Sequence, residues 1–90
     1  MNVQVVPYPP YRSGLGSDLI ELEVPEGSTL RDVLRLLARR SAEMAPLAEA
    51  RSDEWLWGQM ITHRRGEMML LDEPVADGDR LELLPPIAGG

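Results

Sequence analysis

Ninety residues carrying a formal net charge of −6 and no cysteine set limits before any motif is read. A chain of this length buries roughly 60–65% of its unfolded surface, which supports one small domain with a modest core. The acidic balance argues against a nucleic-acid-binding surface, the missing cysteines exclude disulfides and thiolate chemistry, and a lone His63 leaves a transition-metal site with little to work with.

No run approaches about 20 consecutive apolar residues, and the first residues lack the charged-then-apolar order of a secretory signal. The expectation is a soluble, cytoplasmic protein with no membrane partner, whose acidic surface suits a partner with a basic docking groove. All nine basic residues are arginine. Codon usage in a GC-rich genome explains this, and so does a need to keep side-chain amines away from an activated carboxyl group; both readings stand.

Residues 2–6 (Asn2-Val3-Gln4-Val5-Val6) are β-branched and partly alternating, which predicts a strand. Pro7, Pro9 and Pro10 cannot pair in the middle of a sheet, so the run through Ser17 is expected to be a loop rather than a ligand for an aromatic groove. In residues 18–24, Ile20, Leu22 and Val24 fall on one face and Glu21 and Glu23 on the other, the pattern of a half-buried strand forming a hairpin with the first. Pro25-Glu26-Gly27 turns the chain, and Thr29 with Asp32 has capping-box spacing ahead of a helix. Leu30, Val33, Leu34 and Leu37 recur on one face of that helix, with Arg31, Arg35, Arg39 and Arg40 mostly opposite.

Over residues 41–54, Pro46 is placed to begin a short second helix. Trp55-Leu56-Trp57 reads as extended, with both tryptophans on one side and packed against the main helix in preference to forming a contact patch. A strand is expected over 59–62, a turn at Arg64-Arg65-Gly66 and a short strand over 67–71. Asp72-Glu73-Pro74 and Asp77-Gly78-Asp79 signal loops and turns, with carboxylates expected to be solvated. In the last strand, Arg80 to Leu84, Leu81 and Leu83 face the core while Arg80, Glu82 and Leu84 share the other face. Leu84 either tucks under a loop or belongs to a partner-docking patch with Pro85 and Ile87, the functional reading.

Pro85 and Pro86 cannot donate to a ladder, so they end the strand and stiffen the exit from it. After Ile87 and Ala88, Gly89 and Gly90 carry no side chain, which suits threading into a narrow cleft and close approach of a partner to the carboxyl carbon. The expected division is a domain over residues 1–84 and a flexible tail over 85–90. The element order predicts an α+β fold in which the last strand pairs in parallel with the first, between the hairpin and the third strand. That is the β-grasp, ubiquitin-like arrangement: a mixed four- to five-stranded sheet on one main helix plus a short helix.

The run Val75-Ala76-Asp77-Gly78-Asp79-Arg80-Leu81-Glu82-Leu83-Leu84-Pro85-Pro86-Ile87-Ala88-Gly89-Gly90 resembles the end of the small subunit of molybdopterin synthase, and Ser28 to Leu34 resembles the start of its helix. The chain departs from that family's pattern at the proline-rich Pro7–Tyr11 and over Trp55–Met60. The resemblance implies a sulfur carrier, not an enzyme, whose Gly90 carboxyl is adenylated and converted to a thiocarboxylate, with Pro85, Pro86, Ile87, Ala88 and Gly89 as the partner-binding tail. It implies no bound cofactor and no metal, ATP consumed by the activating partner, and three partners: an adenylating, ubiquitin-activating-like enzyme, a sulfurtransferase and the large synthase subunit. Other Gly-Gly-ended carriers give sulfur to thiamine precursors, transfer RNA or cysteine synthesis, and a ubiquitin-like modifier would be conjugated through Gly90. These readings stay open.

Overall fold

A computed structural model describes residues 1–86. Strand β1 (Asn2–Pro7) and strand β2 (Ile20–Glu23) pair antiparallel, with Val3 opposite Leu22 and Val5 opposite Ile20. Ile20 and Val24 are buried and Glu21 and Glu23 exposed, as the alternation predicts.

The segment between these strands is more ordered than a connecting loop. The peptide between Pro9 and Pro10 is cis, and helix α1 (Tyr11–Leu15) follows it. Gly16 ends that helix in the left-handed region at φ 77°, a conformation that costs glycine little, and its N–H donates to the Arg12 carbonyl. Leu15 drops into the core, an apolar side chain that composition alone assigned to a loop.

Helix α2 (Leu30–Ala38) has the predicted start. The Thr29 side chain accepts from the Asp32 N–H, and Asp32 Oδ2 accepts from the Thr29 N–H at 2.9 Å. Leu30, Val33, Leu34 and Leu37 are completely buried against Val5, Leu81 and Leu83 of the sheet. Each contributes roughly 1.5–3 kcal/mol of transfer free energy. Arg31 does not stay on the solvated side: its guanidinium donates to the carbonyls of Ala48 and Ala50 at 2.9 and 2.8 Å, pinning the next short helix, α3 (Ala45–Ala48), onto α2. A 3-10 turn (Ala42–Met44) joins the two, and Pro46 sits in the first turn of α3 as expected.

The tryptophan segment is helical rather than extended. Ser52 caps helix α4 (Asp53–Trp57) by accepting from the Trp55 N–H at 3.1 Å, and Asp53 and Glu54 occupy its positive end. Leu56, not a tryptophan, fills the core, while Trp55 is 46% exposed. Trp57 is half-buried, and its indole N–H is buried without a hydrogen-bond partner.

Strand β3 accordingly begins two residues later than expected, at Ile61, and runs to Arg64. Strand β4 is only Glu67–Met68. It does not continue to Leu71 because the Leu71 N–H is taken by Asp53 Oδ1 at 2.7 Å and the Leu70 N–H by Glu73 Oε1. Strand β5 (Arg80–Leu84) lies parallel to β1, with Val5 opposite Leu81, and antiparallel to β3, with Thr62 opposite Leu83. The sheet order is β2-β1-β5-β3-β4, the expected β-grasp arrangement with five strands.

Leu34 is wholly buried between α2 and the sheet. Leu34→Ala should lower the unfolding free energy by about 2–5 kcal/mol in a denaturant titration, with an unchanged fold by circular dichroism.

Candidate functional site

The Asp77-Gly78-Asp79 turn is the device that places β5. Asp77 Oδ1 accepts from the Asn2 N–H at 2.7 Å, the Gly78 N–H donates to the Asn2 carbonyl at 2.7 Å, and the Gln4 N–H donates to the Asp79 carbonyl at 2.8 Å. Gly78 has φ 84°, a left-handed conformation that a side chain would strain. Asp79 is not solvated: it is 7% exposed, accepting from the Ala76 N–H at 2.8 Å and from Arg64 at 2.9 Å.

Arg64, expected in a turn, belongs to β3 on the same face as Thr62. Its guanidinium donates to Asp79, to the Pro74 carbonyl and to Glu73. The signal lay in register: two residues after Thr62, position 64 returns to the helix-facing side, where an arginine demands an acid.

At its other end β5 leaves the sheet. Pro7 stands opposite Leu83 and the Tyr8 N–H donates to the Leu83 carbonyl at 2.9 Å; on the other flank Ile61 stands opposite Leu84. Leu84 shares the open face with Glu82, as alternation predicts, and is half-buried. Ile61, directly across, is 7% exposed yet stands outside the core cluster that α2 covers. Val6 is half-buried on the same face opposite Glu82, while Met68 stands farther along at 43% exposed, opposite His63. The structure therefore brings Leu84 together with Ile61 on this face, with Val6 in the neighbouring row beside Glu82 and His63. Pro85 is exposed and Pro86 half-buried. Ile87, Ala88, Gly89 and Gly90, the rest of the expected tail, lie outside the described residues.

Sequence reasoning missed two tyrosines at this end. The Tyr8 hydroxyl donates to Glu82 Oε2 at 2.9 Å on the open face, and the Tyr11 hydroxyl donates to the Gln59 carbonyl at 2.6 Å. Proline content pointed to a loop there and hid both.

Among the described residues no group of His, Cys, Asp and Glu could hold a metal ion, and no helix is long and apolar enough to cross a membrane. A cleft of about 400 Å³ lined by Pro25, Ser28, Asp32, Arg35 and Arg39 lies at the start of α2. That is the end of the sheet where Val24 bonds to Met1, opposite the end where β5 leaves. Among the described residues, the end where β5 leaves thus carries the Leu84–Ile61 pair on the open face and an oriented exit.

The hydrogen bond to Glu82, and then that carboxylate's charge, raise the Tyr8 phenol above its ordinary value, with Arg80 and Arg12 pulling the other way; burial raises Tyr11. Both shifts favour the neutral phenol in the folded state. The associated stability is complete below the ordinary phenol value of about 10 and is lost as pH rises through the higher folded value. Ultraviolet titration should show both tyrosines ionising above a free phenol, and Glu82→Gln should bring one of the two midpoints down.

The ThiS family profile matches residues 11–90. No curated protein matches the chain. Among solved structures, the chain is similar to a putative molybdopterin converting factor subunit 1 from Pyrococcus furiosus, at 25% identity over 97% of this chain and 99% of that one, with a TM-score of 0.78. It is similar to the small archaeal modifier protein 1 of Haloferax volcanii, at 25% identity over 96% and 98% of the two chains, with a TM-score of 0.74. A chain from the complex of subunits 1 and 2 of the molybdopterin-converting factor of Helicobacter pylori shares the fold, at 23% identity over the whole of both chains and a TM-score of 0.59.

Proposed function

This chain belongs to the ThiS family of ubiquitin-like sulfur carriers, and on that premise we propose that the carboxyl group of Gly90 is its reactive centre, adenylated by a partner and converted to a thiocarboxylate. The observation that carries the reading is the exit of β5. The strand is held on both flanks as far as Leu83 and Leu84, and Pro85-Pro86 comes directly after it. Residues 85–90 lie past the last ladder pair, and six residues reach at most about 20 Å. That length suits a cleft in another protein.

A carboxylate is a poor acyl donor. Attack of the Gly90 carboxylate on ATP releases pyrophosphate and leaves an acyl-adenylate. The outer sulfur of a persulfide on the sulfurtransferase displaces AMP to give an acyl disulfide. A second thiol of the partners attacks its S–S bond, forming a disulfide with the sulfurtransferase cysteine and releasing the thiocarboxylate. Stored on the main-chain terminus, the sulfur needs no cysteine, in keeping with a chain that has none. Gly89 and Gly90 supply slimness, Ile87 and Ala88 complete the inserted segment, and Pro85 and Pro86 reduce the entropy lost on insertion. The partners are an adenylating enzyme, a sulfurtransferase and the large subunit of molybdopterin synthase, in whose pocket the sulfur reaches the pterin precursor of the molybdenum cofactor. The similarity to the Pyrococcus furiosus subunit supports that recipient. The chain is a consumed and regenerated co-substrate with no bound cofactor, ATP being used by the activating partner, and it works in the cytoplasm. Leu84, with Ile61 and Val6, docks the partner beside the tail.

Intact mass tests the chemistry. Protein made together with its adenylating enzyme and sulfurtransferase should be heavier than the free acid by the difference between sulfur and oxygen. Free acid alone, with ATP and a persulfide donor present, would overturn the reading. Deleting Gly90 should abolish the mass change while leaving the melting temperature unchanged. The likeness to the archaeal modifier favours a second reading, in which Gly90 is joined to lysines of other proteins. Higher-mass conjugates that vanish with Gly90 would establish it.

Docking is tested separately. Leu84→Glu should weaken binding to the adenylating enzyme by tenfold or more, the effect of about 1.4 kcal/mol, measured by titration calorimetry. Unchanged affinity would make Leu84 a packing residue.

A further inference from the structure

β5 leaves the sheet through a gap whose two sides come from distant parts of the chain. One side is the end of β1, where Pro7 opposes Leu83 and the Tyr8 N–H bonds to the Leu83 carbonyl. The other is the start of β3, where Ile61 opposes Leu84. Beyond these pairs neither side continues in the sheet: β1 runs on to α1, and β3 is preceded by α4. Among the described residues, one hydrogen bond joins residues 8–19 to residues 50–60, the 2.6 Å contact from the Tyr11 hydroxyl to the Gln59 carbonyl.

Both ends of that bond are anchored. The Tyr11 and Arg12 N–H groups donate to the Tyr8 carbonyl at 2.9 and 3.3 Å, and Tyr11 packs against the core cluster. The Gln59 and Met60 N–H groups donate to the Leu56 carbonyl at 2.8 and 2.7 Å, and Leu56 and Met60 are fully buried. The contact therefore ties one local turn to another across the end of β5, not two free side chains.

We propose that Tyr11 is a positioning residue for the carrier reaction: its bond to Gln59 locks the two sides of the β5 exit into one body, so that Leu84 and Pro85 are presented in a single geometry. This rests on the reading of the chain as a carrier activated through its terminus. Without the bond the two sides are coupled only through β5 and the core beneath it, and a smaller part of the population is competent to dock. A reduced competent fraction lowers apparent affinity in proportion and leaves chemistry in the bound complex untouched.

The test uses Tyr11→Phe, which removes one hydroxyl and keeps the packed ring. With the full-length chain as substrate of its adenylating enzyme, ATP–pyrophosphate exchange should show KM raised about fivefold and kcat unchanged. Amide hydrogen exchange on the variant alone should quicken at Tyr11 and Arg12 and also at Gln59 and Met60, with Val5 and Leu81 unaffected. Thr29→Ala, which removes the α2 cap at the far end of the sheet, controls for general loss of stability and should leave KM alone. An unchanged KM in Tyr11→Phe, an equal rise in Thr29→Ala, or faster exchange on the Tyr11 side only would each overturn the proposal while leaving the carrier reading intact. A wild-type chain that supports no exchange would overturn the carrier reading, and this proposal with it.

Discussion

The parallel ladder between β1 and β5 is the constraint that dictates the rest of the architecture. Two parallel strands cannot be joined by a tight turn, so everything from β2 to the Asp-Gly-Asp turn is in effect one long crossover. The crossover must cover one face of the sheet, and the stripe of Leu30, Val33, Leu34 and Leu37 does so. Because β5 enters last and lies between β1 and β3, it has no free edge and its hydrogen bonds are shared on both sides. The chemistry proposed for the terminus is thus attached to the central strand of the sheet.

That strand is held differently at its two ends. Where it begins, charge does the holding: Arg64 reaches Asp79, Glu73 and a carbonyl at once, with side chains largely withdrawn from water. Such a network stabilises little over an apolar core of the same shape, but removing Arg64 leaves the buried Asp79 carboxylate without its cation. It therefore fixes register more than it adds stability. Where the strand ends, neutral contacts take over: the Tyr8 amide on Leu83, the Ile61–Leu84 pair, and the Tyr11 hydroxyl spanning the two sides. On the open face Leu84 and Ile61 form an apolar pair beside the Tyr8–Glu82 hydrogen bond.

Much of this was legible in the residues. The capping box at Thr29 and Asp32, the helical stripe and the alternation in Ile20–Val24 and Arg80–Leu84 each reflect a local periodicity that tertiary structure only had to accept. The failures have a common cause, a local signal outweighed by a partner far along the chain. Trp55-Leu56-Trp57 has the β propensity of aromatic residues, but Ser52 offers a cap, and the helix turns Leu56 into the core. Asp79 looked solvated because its cation, Arg64, lies fifteen residues earlier in the chain. Tyr11 looked like part of a proline loop because its partner, Gln59, is 48 residues away. The exit strand and the open-face placement of Leu84 were legible in the sequence, whereas the hydrogen bonds of Tyr8 and Tyr11 beside the exit were not.

Both tryptophans of the chain lie in α4, one on each side of Leu56, and α4 leads directly into Gln59. Indole emission therefore reports on a five-residue helix beside the β5 exit and not on the leucine stripe. A fluorescence melt and a circular dichroism melt track different parts of this molecule, and the interval between them measures how far the α4 corner opens before the sheet does. The same two rings make the protein its own optical sensor, since a partner that covers Trp55 changes its solvent without any dye attached.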